Sequence, residues 1–124
     1  MVPSSAQVLI LVVDDDVLER MGAAYMFSDA GYRVIEAGSA DVALRFFETD
    51  EDIGLLFTDV SMPGAIDGAA LARVVAERWP KVGILMTSGR PFPSHLPPGV
   101  RFHAKPYEPV DVLRDAKEMQ LQLE

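Results

Sequence analysis

The sequence predicts an α/β fold in which a doubly wound parallel sheet is covered by helices on both faces, and three observations carry that expectation. Short, continuous apolar runs rich in β-branched residues recur along the chain, beginning with Val8 to Val13 (VLILVV), and such runs suit strands buried on both sides. Helical patterns separate most of these runs, as a βα alternation requires. The runs also end in polar residues, which is where an open α/β sheet gathers its ligands.

Taken in order, Val8 to Val13 is the first strand. Asp16 reads as the N-cap of the following helix, with Glu19 three residues on completing a capping box. Leu18, Met21 and Tyr25 fall on one face of this helix, and Gly31 supplies its stop. Arg33 to Ala37 (RVIEA) is the second strand, followed by a helix from about Ala40 to Glu48 that buries Ala43, Leu44 and Phe47. Gly54 to Thr58 (GLLFT) is the third strand and runs directly into Asp59. The loop Ser61 to Asp67 (SMPGAID) carries the proline and glycine of a turn. From Gly68, the spacing of Leu71, Val74, Val75 and Arg78 gives an amphipathic helix that ends before Pro80, and Trp79 reads as packing at its end. Val82 to Thr87 (VGILMT) and Val100 to His103 (VRFH) are the fourth and fifth strands. Pro109 to about Leu123 is the last helix, with Leu113, Ala116 and Met119 on its inner side. Between the last two strands, Arg90 to Gly99 (RPFPSHLPPG) holds four prolines in ten residues. A proline inside a helix costs about 3 kcal/mol, so a loop or at most one turn is expected there.

The bulk numbers limit the classes of function. The 124 residues suit one domain spanning 1–124, with no room for a second. Hydrophobic residues at 49% and charged residues at 24% describe a globular chain. No apolar run approaches the ~20 residues of a membrane span, and Met1 to Gln7 lacks the basic start and cleavage region of a secretion signal. The absence of cysteine excludes disulfides and thiolate metal sites. An intracellular, cytoplasmic location is the expectation. Acidic residues outnumber basic ones 19 to 11, for a net charge of −8. With no basic cluster, direct nucleic-acid binding is not expected. Phosphate chemistry on such a chain would have to recruit positive charge, most simply a metal ion.

The strand ends supply the candidate chemistry. Asp14, Asp15 and Asp16 follow the first strand, Asp59 the third, Thr87 and Ser88 close the fourth, and Lys105 and Pro106 follow the fifth. Each has an ordinary structural reading: an acidic run favoured by a helix dipole, a turn-forming aspartate, a capping hydroxyl, a solvated lysine. Their joint placement on separate strand ends is what those readings leave unexplained. Carboxylates crowded in one pocket raise a pKa unless a cation neutralises them, and hard oxygen ligands favour Mg²⁺. A carboxylate can attack phosphorus to form an acyl phosphate, with lysine and hydroxyl donors stabilising the transferred group.

Here the chain resembles a known family. VLILVVDDD, LLFTDVSMPG, ILMTSGR and FHAKPY, in that order and spacing, are similar to the signature of response-regulator receiver domains over nearly the whole length. The resemblance implies a flavodoxin-like sheet of five parallel strands in the order 2-1-3-4-5, with the fourth helix short or replaced by the proline-rich loop. It implies Asp59 as phospho-acceptor, Asp15 as the direct acidic metal ligand and Asp14 as its partner, acting partly through water. The backbone carbonyl of Ser61 would complete the protein's share of an Mg²⁺ (or Mn²⁺) shell. Ser88 matches the switch hydroxyl, Lys105 the phosphoryl-pairing lysine with a cis bond to Pro106, and Phe102 the aromatic switch position. Ser88 is chosen over Thr87 because strand side chains alternate and the family's hydroxyl precedes a small residue, here Gly89; Thr87 is expected to turn elsewhere. The loop MPGAIDG is one residue longer than the commonest pattern of the family. The proline-rich stretch stands where the family's fourth helix contributes to the surface that responds to phosphorylation. Partner recognition is therefore expected to use Arg90 to Gly99, or the first helix, in another way.

The implied function is a phosphorylation switch or phosphorelay intermediate. It would be fed by a histidine kinase or histidine phosphotransfer protein, would signal to a downstream protein target, and would catalyse only its own phosphorylation and dephosphorylation. A stand-alone protein and a receiver excised from a hybrid kinase read alike, although the opening methionine favours the first. A degenerate receiver serving as an interaction module is opposed by the intact Asp14, Asp15, Asp59, Ser88 and Lys105. A phosphatase related to the haloacid dehalogenases would want an acid where Ser61 stands, and a larger body. A nucleotide-binding flavodoxin-like protein would want a glycine-rich loop after the first strand. His95 and His103 are too few and too separated to make a metal site, and Ser61 and Arg90 lie where the family tunes dephosphorylation.

Overall fold

Among the described residues the chain runs through β1 (Leu9–Val13), α1 (Val17–Asp29), β2 (Arg33–Ala37), α2 (Ala40–Thr49), β3 (Ile53–Asp59), α3 (Gly68–Arg78), β4 (Gly83–Ser88), β5 (Arg101–Ala104) and α4 (Pro109–Leu123). They come from a computed structural model that describes residues 8–49, 52–64, 66–89 and 96–123. The strands form one sheet in the order β2-β1-β3-β4-β5, all neighbours parallel. This is the doubly wound sheet expected from the sequence. Every strand limit lies within one residue of the expected one: β1 starts at Leu9, β3 runs from Ile53 to Asp59, β4 from Gly83 to Ser88 and β5 from Arg101 to Ala104.

Period-two alternation divides the core. From β1, β3 and β4, the side chains of Leu9, Leu11, Val13, Leu56, Ile84 and Met86 meet Ala43 and Phe47 of α2 and Leu71 and Val75 of α3. On the other face Ile10, Val12, Leu55, Phe57 and Leu85 meet Ala23 and Phe27 of α1 and Val112, Ala116 and Met119 of α4. Each such aliphatic side chain, fully buried, stabilises the fold by about 1.5–3 kcal/mol, so the three central strands carry much of the buried apolar core. Phe27 stands edge-on to both Tyr32 and Phe57. Trp79 stacks on Phe47 with Arg78 over its ring, the helix-end packing expected of it.

Two expectations about α1 need correction. The face bearing Leu18, Met21 and Tyr25 is solvent-exposed, at 80%, 54% and 72%, while Ala23, Ala24 and Phe27 pack inward. Two alanines let the helix lie close to the sheet and one phenylalanine fills the space, so the larger apolar residues stay outside. The capping box is only half formed. The Asp16 side chain does accept from the Glu19 N–H, at 2.9 Å, but the Asp16 N–H donates to Asp14 Oδ1, and the Glu19 carboxylate goes elsewhere. Gly31 stops the helix as expected, with φ 99° in the left-handed region that glycine adopts freely.

Within Arg90 to Gly99, residues 90–95 lie outside the described residues, so the expected loop is tested only from Leu96 onward, where a turn covers Pro98 and Gly99. His95, Arg90 and the leader Met1 to Gln7 fall outside them as well. No helix among the described residues is long and apolar enough to cross a membrane.

Candidate functional site

The carboxyl ends of β1, β3, β4 and β5 meet around a cavity of about 480 Å³, with Asp14, Glu19, Asp59, Thr87 and Lys105 at its polar end and Phe57 and Tyr107 on its apolar wall. Asp14 enters from β1 with its backbone tied on both sides. Its N–H donates to Ala37 O at 3.2 Å, and its carbonyl accepts from Arg20 Nη1 at 3.0 Å. Asp59 ends β3, level with Thr87 of β4. The next peptide is fixed by the Val60 N–H, which donates to Thr87 O at 2.8 Å.

Gly68, the first residue of α3, passes so close behind Asp59 that a Cβ there would lie 1.6 Å from the Asp59 carbonyl oxygen. Only glycine permits this approach. The α3 N-terminus is secured by the Asp67 side chain, which accepts from the Ala70 N–H.

Lys105 enters from the turn after β5. Its N–H donates to Ser88 O at 2.8 Å, and its bond to Pro106 is cis, as expected. Its ammonium lies 3.4 Å from Asp59 Oδ2 and 3.6 Å from Asp14 Oδ2, and it donates a hydrogen bond to Glu19 Oε1. Carboxylate oxygens of Asp14, Asp15 and Asp59 all lie within 4.8 Å of one another.

The electrostatics follow from crowding. Burial pushes the Asp14 carboxyl above the usual aspartate value, and Asp59 and Glu19 push the same way, against the Asp16 N–H and the Lys105 charge. Burial works against the Lys105 charge too, but the hydrogen bond to Glu19 and the charges of Asp59 and Asp14 overcome it and hold the ammonium above the ordinary lysine value. Burial likewise raises the Tyr107 phenol, whose ring stands edge-on to Phe57. Three carboxylates facing one ammonium, with Asp15 adjoining, leave an excess of negative charge. Oxygen donors of this kind and number suit a hard divalent cation, so the residues present fit Mg²⁺.

Of the residues singled out in the sequence, Asp14, Asp15, Asp59 and Lys105 are thus brought together. Ser61 is exposed, two residues beyond Asp59. Thr87, expected to turn elsewhere, lines the cavity; Ser88 follows it, 1% exposed, paired in register with Ala104. Phe102 is level with Met86 and packs on the α2–α3 side of the sheet. His103 belongs to no metal cluster among the described residues; its Nε2 pairs with Asp115 Oδ2 at 2.7 Å.

Sequence reasoning missed three contributors. Glu19 was absorbed by its reading as a cap, although it lies one helical turn after Asp15, on the side where a strand-end site would stand. Gly68 carried a signal in its position after an N-cap aspartate. Tyr107 carried none.

Comparisons with known proteins identify the family and the fold. The sequence profile described as "Response regulator receiver domain" matches residues 10–105. The sensor kinase CckA of Brucella abortus is 30% identical over 121 residues; the match takes in 93% of this chain, which spans only 13% of that protein's length. Among solved structures, the receiver domain of a hybrid histidine kinase CckA is 31% identical with a TM-score of 0.78, covering 90% of this chain and 97% of that one. A response regulator receiver domain protein from Methanospirillum hungatei is 26% identical with a TM-score of 0.84, covering 94% and 95%.

Proposed function

The chain belongs to the response-regulator receiver family of two-component signalling, and from that premise we propose that it is a phosphorylation switch or phosphorelay station whose acceptor is Asp59. The observation that carries this reading is the Lys105 ammonium 3.4 Å from the Asp59 carboxylate, with Asp14 and Asp15 clustered alongside.

In the proposed step, an Asp59 carboxylate oxygen attacks the phosphorus of a phosphohistidine. The P–N bond breaks, its electron pair stays on the imidazole nitrogen, and an acyl phosphate forms on Asp59. Water later attacks the phosphorus, the bond between it and the Asp59 oxygen breaks, and inorganic phosphate leaves with the carboxylate restored. Lys105 supplies positive charge to the phosphoryl oxygens, and the hydroxyl at the end of β4 supplies a donor. Asp14, Asp15 and Asp59, with the Ser61 carbonyl, would hold Mg²⁺, which when bound neutralises charge on the carboxylates and on the phosphoryl oxygens.

Modification of Asp59 would draw on Ser88 and, through the neighbouring strand, Phe102, shifting a two-state equilibrium. The donor, a histidine kinase or histidine phosphotransfer protein, would meet the exposed Val17, Leu18, Met21 and Tyr25 on α1. That patch starts three residues after Asp14 and belongs to the helix that carries Glu19 into the cavity. A downstream protein would read the modified state, and the cytoplasm, where such donors act, is the location that fits. The chain would thus catalyse chemistry only on itself.

Incubation with Mg²⁺ and a small acyl phosphate, followed by intact mass, tests the reading. One added phosphoryl group is expected, absent from Asp59→Asn and from metal-free samples. Absence of any adduct, together with failure to bind a non-hydrolysable phosphoryl mimic with Mg²⁺, would overturn it.

A further inference from the structure

We propose that Glu19 is a positioning residue for this site, holding the Lys105 ammonium in the resting protein and yielding it to the phosphoryl group once Asp59 is modified. The inference rests on the phospho-acceptor reading above and adds a residue and a regulatory competition to it.

The geometry sets up the competition. Lys105 reaches three carboxylates, yet it donates its hydrogen bond to Glu19, while Asp59 and Asp14 stand at ion-pair distances of 3.4 and 3.6 Å. The Glu19 side chain is diverted to that role. Its position, three residues after the N-cap, would let it reach back to the Asp16 N–H, but that N–H is already taken by Asp14 Oδ1. Glu19 instead spans 86 residues of sequence to reach the lysine and lines the cavity with Asp14, Asp59 and Lys105.

The two contests for the ammonium are unequal in the two states. Before transfer, Asp59 offers one negative charge, and a cation bound by Asp14, Asp15 and Asp59 would offset it. Glu19, outside that cluster, keeps its full pull on the lysine. After transfer, the phosphoryl group adds about 1.5–2 negative charges and three strong acceptor oxygens beside Lys105, and the balance tips toward Asp59. The Glu19 side chain is 51% exposed, so water can replace the lysine when it leaves. The hold is therefore reversible and small. A partly exposed ion pair contributes up to about 1 kcal/mol, which converts to roughly fivefold in a rate or an equilibrium.

The test is the initial rate at which a small acyl phosphate modifies Asp59 at saturating Mg²⁺, read by intact mass on the full chain. Wild type, Glu19→Gln, Lys105→Met and the double variant form a cycle. Glu19→Gln keeps the backbone N–H that Asp16 caps, and a thermal melt checks that it folds as wild type does. Phosphorylation roughly fivefold faster in Glu19→Gln, with no such gain in the Lys105→Met background and an unchanged half-saturating Mg²⁺ concentration, supports the proposal. An unchanged rate, a gain that persists without the lysine, or a gain explained by a shifted Mg²⁺ requirement overturns it while leaving the phospho-acceptor reading intact. A wild-type protein that takes no phosphoryl group at all overturns both.

Discussion

Two clusters of charge adjoin β5, one along the strand and one just past its end, and they differ in balance. Between β5 and α4, Arg101 donates to Asp115 Oδ1 at 2.7 Å and also to Glu118, while His103 pairs with Asp115 Oδ2 at 2.7 Å. Two basic side chains from one strand meet two carboxylates from one helix. Just past the end of the same strand, Lys105 faces Asp14, Asp59 and Glu19 alone, with Asp15 adjoining. The first cluster is complete as it stands and fastens α4 to the sheet edge. The second is deficient in positive charge, surrounds a cavity, and raises the Asp14 carboxyl where the first lowers that of Asp115. Ion-pair networks of either kind perturb pKa values; the sign of the carboxylate shift separates the fastening from the site.

The largest expected effect touches no charge. Gly68→Ala would place a Cβ 1.6 Å from the Asp59 carbonyl oxygen, so either α3 or the end of β3 must move. Overpacking against backbone is expected to cost about 3 kcal/mol or more, read as a lower midpoint in urea unfolding, and to slow Asp59 phosphorylation by displacing the acceptor. A variant with the wild-type midpoint and rate would show that the carboxylate cluster does not depend on this close approach.

Next comes the balanced cluster. Asp115→Asn removes the carboxylate that both Arg101 and His103 use, and with the Asp115 side chain 15% exposed a loss of about 1–2 kcal/mol is expected at neutral pH. Burial pushes the Asp115 carboxyl up, but hydrogen bonds from Arg101 and His103 outweigh it and hold it below the ordinary aspartate value. A carboxyl lowered in the folded state binds its proton less tightly than in the unfolded chain. Its contribution is therefore present above about pH 4 and lost as pH falls through the folded value. The difference between wild type and Asp115→Asn should close on acidification below that point. Phosphorylation of Asp59 by a small donor should be unaffected at neutral pH, and a loss of it would mean that the two clusters are coupled.

How much of this was readable beforehand depends on whether the signal was local. Strand-end positions are local, since an apolar run stops and polar residues begin; Asp14, Asp15, Asp59 and Lys105 were found that way, and the parallel sheet followed from the same runs. The clamp was not readable. Arg101 and His103 share a strand face and Asp115 and Glu118 a helix face, but nothing short of the fold pairs them. The orientation of α1 failed for a related reason. Leu18, Met21 and Tyr25 form the more apolar-looking face by size, yet packing distance to the sheet selected Ala23, Ala24 and Phe27. Glu19 was misread because one local role, the cap, explained its position well enough to hide a partner 86 residues away.

The smallest effect tests the imbalance itself. Asp14→Asn preserves shape and the acceptor for the Asp16 N–H while removing one of the crowded charges. Burial, Asp59 and Glu19 raise the Asp14 carboxyl above the ordinary aspartate value despite the Asp16 N–H and Lys105. The folded protein therefore binds that proton more tightly than the unfolded chain does. Here the linkage sign is opposite to that of Asp115: ionisation of Asp14 costs stability at neutral pH, and the cost is relieved as pH falls through the folded value toward 3.8. Without metal at pH 7, Asp14→Asn is expected to be more stable than wild type, read as a higher Tm, with the gain shrinking on acidification. Mg²⁺ should reverse the order. At ten times its dissociation constant a ligand adds about 1.4 kcal/mol to the folded state, and the variant, short of one carboxylate, should gain less than wild type. Melts with and without Mg²⁺ at two pH values decide it. If Asp14→Asn were destabilised without metal, Lys105 would already balance the cluster, and the contrast with the Asp115 clamp would fail.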